Sequence, residues 1–143
     1  MQIKEIMSRD VHTIEPDRTL RDAAMEMSKI GAGILPVSEA DRLIGMITDR
    51  DIAIRGIGYG LGPDARVADV MTRDVKYCFE DQDLEDVGDN MADIQVRRLP
   101  VVDREKRLVG IVSLGDLATS SGGAMPAAEA LRGVARPGGE HQV

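Results

Sequence analysis

Residues 34 to 48 read ILPVSEADRLIGMIT, and residues 99 to 113 read LPVVDREKRLVGIVS. In each, two β-branched, apolar runs flank a charged turn, the pattern of a hairpin. Both stretches then run into a hydroxyl followed three residues later by an aspartate: GMITDRDIAIRG from Gly45 and GIVSLGDLATSSG from Gly110. Thr48 with Asp51, and Ser113 with Asp116, have the spacing of a capping box, in which hydroxyl and carboxylate satisfy the orphan amides of a helix start. The structural reading of one copy alone is a helix cap, with a helix opening at Asp51 or Asp116.

The matching hairpins belong to a longer repeat. At an offset of 64, Met7, Arg9, Asp10 and Val11 meet Met71, Arg73, Asp74 and Val75, and Leu20, Asp22, Met27 and Ile30 meet Leu84, Asp86, Met91 and Ile94. Past the charged turn the offset becomes 65, so DREKR carries one added residue. Each repeat reads as a strand (Val11 to Ile14, or Val75 to Phe79), an amphipathic helix with one apolar face (Leu20, Ala23, Ala24, Met27 and Ile30, or Leu84, Val87, Met91 and Ile94), the hairpin, and a second helix. Thr19 with Asp22, and Asp83 with Asp86, supply starts for the first helices. The order is β-α-β-β-α twice, an α+β fold.

On this reading residues 1–60 form the first unit, with a connecting segment at 56–66, and residues 67–120 the second. The glycines and Pro63 of RGIGYGLGPDAR mark a connection rather than a helix, at a spacing that fits no phosphate loop. Residues 121–143 read as a flexible tail with one short helix at 126–135, whose Ala127, Leu131 and Val134 share a face, and RPGGEHQV reads as disordered.

Composition bounds the function. The 143 residues are 43% hydrophobic and 30% charged, enough for a sizeable core, and the formal charge of -7 with two Tyr, one Phe and no Trp disfavours nucleic acid. No apolar run is long enough to span a membrane, and MQIKEIMSRD lacks the apolar stretch of a signal peptide, so a cytoplasmic protein without membrane contact is expected. The single cysteine, Cys78, reads as a packed strand residue.

No catalytic or metal constellation emerges, and the expectation is a non-enzyme with neither required cofactor nor metal. His12 and His141 sit in no zinc-ligand spacing. The acidic stretch from Glu80 has Asp86 where a calcium loop needs Gly and Ala92 where it needs Glu. A Ser or Cys nucleophile lacks its supporting base. The repeated hydroxyl and aspartate suit binding: an Asp at a helix start accepts hydrogen bonds from a ribose diol, and a hydroxyl with backbone amides donates to phosphate. Arg97 and Arg98 offer the guanidinium groups that a phosphate favours.

With LPV in both copies, followed by GMITDRD and GIVSLGD in the same order, residues 3 to 120 resemble a tandem pair of cystathionine-β-synthase (CBS) domains, and TDRDIAIRGIGYGLGP resembles the stand-alone bacterial subgroup of the hypoxic response protein type. The resemblance implies a Bateman module, in which two units pack through their sheets with pseudo-twofold symmetry and bind adenosine-containing ligands: AMP, ADP, ATP, NAD or S-adenosylmethionine. It implies a regulatory adenine nucleotide, a homodimer and a regulated protein partner that the residues do not identify.

Carried onto this sequence, the resemblance assigns one ligand to Thr48, Asp51, Val75, Lys76, Tyr77, Arg97 and Arg98. A second goes to Ser113, Asp116, Val11, His12, Thr13, Gly33 and Ile34. Only the first set has arginines facing the phosphate, and Arg98 reaching across to both ligands would soften the contrast. If each charged hydrogen bond contributes about 1.5 to 3 kcal/mol, the first site is expected to bind at least about tenfold more tightly. The alternative reading is a ligand-independent interaction or structural module in which the boxes are caps alone.

Overall fold

Both hairpins form, and their turns account for the added residue. The structure, a computed structural model, describes residues 1–120 and 122–137. Strands β1 (Ile34–Glu39) and β2 (Arg42–Thr48) are joined by Ala40 and Asp41, both at positive φ, the two-residue turn whose twist matches an antiparallel pair. The second hairpin, β4 (Arg98–Val102) and β5 (Leu108–Ser113), has a longer loop closed by Asp103 Oδ1, which accepts the amides of Glu105 and Arg107 at 2.9 Å. Lys106, at φ 63°, is its one left-handed residue. Strand β3 (Cys78–Phe79) runs parallel to β4.

The amphipathic helices fall where their periodicity places them, α1 at Leu20–Ile30 and α3 at Leu84–Ile94. At α1 the capping box is formed: Thr19 Oγ1 accepts the Asp22 amide at 3.1 Å, and the Thr19 amide donates to Asp22 Oδ2 at 3.3 Å. These bonds, with Arg18 adjacent, hold the Asp22 carboxyl below its ordinary range. Asp83 sits at the N-cap of α3 but makes no side-chain capping bond. The second helices begin two residues before the expected aspartates, α2 at Asp49–Asp51 and α4 at Leu114–Thr119, because Thr48 and Ser113 occupy the N-cap and each Asp is the third helical residue. After Asp51 the chain stays helical through wider turns at Ile52–Gly56 and tighter ones at Ile57–Tyr59, so the expected connection starts only at Gly60.

In space the chain forms two compact units, His12–Val75 and Met1–Val11 together with the chain from Lys76 onward. Each sheet is thus completed by the segment that opens the other sequence repeat. In the His12–Val75 unit, Ile14 bridges Val37 along β1 and Thr72 bridges Met46 along β2. In the other unit, Ser8 bridges Ile111 along β5. The repeated glycines allow this: a Cβ on Gly45 would lie 2.8 Å from Met71 Sδ and 3.0 Å from the Thr72 carbonyl oxygen, and one on Gly110 would lie 2.5 Å from Met7 Sδ and 2.9 Å from the Ser8 carbonyl oxygen. The residues just before these straps, Ile3 and Val67, are fully buried. The expected first strands shrink to Ile14 and to Cys78–Phe79, since His12, Thr13, Lys76 and Tyr77 are exposed.

The expectation of a flexible tail is corrected over most of its described part. Helix α5 (Ala124–Val134) buries Pro126, Ala127, Ala130, Gly133 and Val134. It packs on α3 through small residues, because a Cβ on Gly88 would lie 2.8 Å from the Pro126 carbonyl oxygen and one on Gly133 would lie 2.5 Å from Ala92 Cβ. Gln95 Nε2 donates to the carbonyls of Gly133 and Arg136, at 2.9 and 3.1 Å, and ties down the end of α5. Leu131, expected on the packed face, is 51% exposed. Of the segment expected to be disordered, residues 138–143 lie outside the described residues, and with them His141.

Cys78 is fully buried, and burial pushes its thiol up to about 12. A thiol reagent such as DTNB should therefore leave Cys78 unmodified at pH 8 in the folded protein and react stoichiometrically once denaturant is added. Fast labelling without denaturant would contradict that packing. Among the described residues no helix is long and apolar enough to cross a membrane.

Candidate functional site

At the end of β2 the extended backbone of Thr48 (φ -120°, ψ 163°) turns the chain into α2. Thr48 Oγ1 accepts the Asp51 amide and the Thr48 amide donates to Asp51 Oδ2, each at 3.0 Å. The other carboxylate oxygen, Oδ1, accepts Arg55 Nη2 at 2.9 Å, and the same nitrogen donates to Thr72 Oγ1 at 2.9 Å. Asp51 is thereby fixed with its side chain only 18% exposed, beside a half-exposed Arg55.

The second copy repeats the box. Ser113 Oγ accepts the Asp116 amide at 3.0 Å, and the Ser113 amide donates to Asp116 Oδ2 at 2.9 Å. Ser120 holds the position of Arg55, and its hydroxyl donates to the Leu117 carbonyl at 2.9 Å. Among the described residues no hydrogen bond to Asp116 Oδ1 is formed. The two pairs share a backbone frame and differ in what surrounds the carboxylate.

The residues beside each pair differ in charge as well. In the His12–Val75 unit, Ile34 lies across the hairpin from Thr48, and the Gly33 carbonyl accepts the Asp49 amide at 2.9 Å. A Cβ on Gly33 would lie 2.6 Å from Asp49 Oδ2, so the Asp49 carboxylate stands directly over Gly33. In the other unit, Arg98 lies across the hairpin from Ser113, and the Arg97 carbonyl accepts the Leu114 amide at 2.8 Å. Cross-strand partners project from the same face, so Arg98 and Ser113 are neighbours. Both arginines are exposed.

The remaining candidates are placed one by one. His12 Nδ1 lies 3.2 Å from Glu26 Oε1 of α1. Thr13 is exposed, and Val11 and Val75 are half-buried. Tyr77, 36% exposed, packs edge-on against Phe79 at 5.7 Å between centroids. Arg104 lies 4.3 Å over the other aromatic of that pair, Phe79, while donating to both oxygens of Asp81. Among the described residues no group of three His, Cys, Asp or Glu side chains is disposed to hold a metal.

Arg55 escaped the sequence reading, and the place of Arg98 was expected only as a reach across to both ligands. Arg55 was legible as the residue four beyond Asp51 on a helix, the spacing of an intrahelical ion pair, had the glycines after it not been read as a connection. The pairing of Arg98 with Ser113 follows from the hairpin register, which the matched termini of LPVVDREKRLVGIVS already imply.

Comparison with known proteins agrees with this frame. The CBS domain matches residues 3–56 and 67–123. The CBS domain-containing protein YhcV of Bacillus subtilis is 42% identical over 118 residues, spanning 82% of this chain and 84% of that protein. The crystal structure of Hypoxic Response Protein I, described with two coordinated zinc ions, superposes with a TM-score of 0.77 at 35% identity, covering 85% of this chain and 99% of that one. The crystal structure of CBSX2 in complex with AMP superposes with a TM-score of 0.71 at 25% identity, covering 80% and 91%. This chain belongs to the CBS domain family and carries two of its domains in tandem.

Proposed function

We propose that the chain is a non-catalytic regulatory module that binds adenosine-containing ligands at its two hydroxyl–aspartate pairs and signals to a protein partner through the change in conformation that binding favours. The observation that carries this reading is the repetition of one built site. Each pair presents a capped carboxylate at the end of a hairpin, able to accept a ribose diol, beside a hydroxyl whose O–H can donate to phosphate, while the amides of the pair are taken by the capping box itself. The AMP bound by CBSX2 supports the ligand class. Association of two copies belongs to the same proposal, and the exposed Ile57 and Tyr59 supply apolar surface for it.

The pair of Thr48 and Asp51, whose carboxylate is held by both the Thr48 amide and Arg55, is proposed as the tighter site. A second reading is favoured by one observation: Arg98 stands across from Ser113, so the arginines could make the Ser113 and Asp116 pair the tighter one. Calorimetry with AMP on Asp51→Ala and Asp116→Ala decides between them, since the larger loss marks the tighter site and equal losses sink the asymmetry.

A thermal shift separates the sensor from a ligand-independent module in which the boxes are caps alone. A ligand at 100 times its dissociation constant adds about 2.7 kcal/mol, or roughly 5 to 10 °C for a domain of this size. At least one of AMP, ADP, ATP, NAD and S-adenosylmethionine is expected to give such a shift at millimolar concentration. No shift with any of the five would favour the ligand-independent module.

A further inference from the structure

The geometry points to Arg55 as the positioning residue that makes Asp51 a reader of the ribose diol, an inference that rests on the adenosine reading above. A carboxylate offers about four acceptor positions, two on each oxygen. The Thr48 amide takes one on Oδ2 and Arg55 takes one on Oδ1, which leaves one on each oxygen, the number a cis-diol needs. Arg55 is itself held: the two N–H groups of Nη2 go to Asp51 Oδ1 and Thr72 Oγ1, and Thr72 is fixed to β2 by reciprocal backbone hydrogen bonds with Met46, at 2.8 and 2.9 Å. The carboxylate plane is thus locked before any ligand arrives, and the ordering that a diol would otherwise impose is already in place.

The other copy lacks the device. Ser120 stands where Arg55 does and bonds to the backbone of its own helix, and the Ser113 amide is the only described donor to the Asp116 carboxylate. The inference therefore concerns one site, and its signature is discrimination between a diol and a single hydroxyl.

The test is calorimetric titration of AMP and 2′-deoxy-AMP into full-length protein carrying Asp116→Ala, so that one site reports, with and without Arg55→Met. Before the change, AMP is expected to bind about tenfold more tightly than the deoxy compound; with Arg55→Met the preference should fall to near parity, mainly through weaker AMP binding. An unchanged preference, or equal loss of both compounds, overturns the positioning role while leaving the adenosine reading intact. If the Asp116→Ala protein binds neither compound, the adenosine reading of this site falls and this inference with it. Should Arg55→Met fail to fold, Thr72→Val decides: a reduced preference supports the role, and an unchanged one overturns it.

Discussion

Gly133→Leu is expected to lower the unfolding free energy by about 2 to 3 kcal/mol, the upper part of the range for overpacking a close contact. A Cβ at this position already meets Ala92 Cβ and its carbonyl oxygen at 2.5 Å, with the backbone of α3 behind, so no flexible side chain can yield. Helix α5 would have to move away from α3, exposing Val87, Met91, Ala127 and Ala130, which are buried in the same cluster. The melting temperature should fall by roughly 4 to 12 °C. Leu131→Ala is the control. Leu131 is half-exposed on the opposite side of α5, and its truncation should change stability by less than about 0.5 kcal/mol. Were Gly133→Leu as stable as the wild type, the packing of α5 on α3 would be wrong.

Asp51→Ala carries the second large effect. On the proposed function it removes both acceptors of the ribose diol, and at about 1.5 to 3 kcal/mol for a hydrogen bond to a charged group the tighter AMP site should weaken at least about tenfold. The same change removes the acceptor of the Thr48 amide and frees Arg55, so part of the loss could come from the helix start. Asp51→Asn keeps an oxygen for the Thr48 amide while giving up the charge and one acceptor. It should fold like the wild type and still lose most of the affinity. If Asp51→Asn binds AMP as the wild type does, the carboxylate is a cap and nothing more.

Much of the fold was legible because it is written twice. The 3.6-residue apolar spacing from Leu20 and from Leu84 placed both long helices, and the alternation around the charged turns placed both hairpins. The capping boxes at Thr48 and Ser113 were equally plain, since a hydroxyl three residues from an aspartate is a local signal. What escaped was of two kinds. The exchange of straps, with Ser8 on β5 and Thr72 on β2, depends on partners far apart in the chain, and the glycines that permit it, Gly45 and Gly110, read equally well as hairpin residues. Helix α5 escaped because Ala, Gly and Pro are also the composition of a loose tail. Only the matching small residues Gly88 and Ala92 on α3 show that its smallness serves close packing.

The candidate site divides along the same line. The hydroxyl–aspartate pairs were visible as a local pattern, and the structure builds both of them alike. That the two pairs differ was expected from the arginines alone, but the neighbours that set each pair apart are brought in by folding: Arg55 onto Asp51 from one turn later, Asp49 over Gly33, and Arg98 across from Ser113.

Binding of an adenosine-containing ligand at these two pairs underlies the proposed function. It is tested most directly by recording amide NMR spectra of the isotope-labelled protein as AMP is added. Saturable shifts are expected, centred on Thr48 to Ile52 and on Ser113 to Leu117, with one group saturating at lower AMP than the other. Both groups remaining unmoved at millimolar AMP, or shifts confined to residues away from the two helix starts, would contradict it.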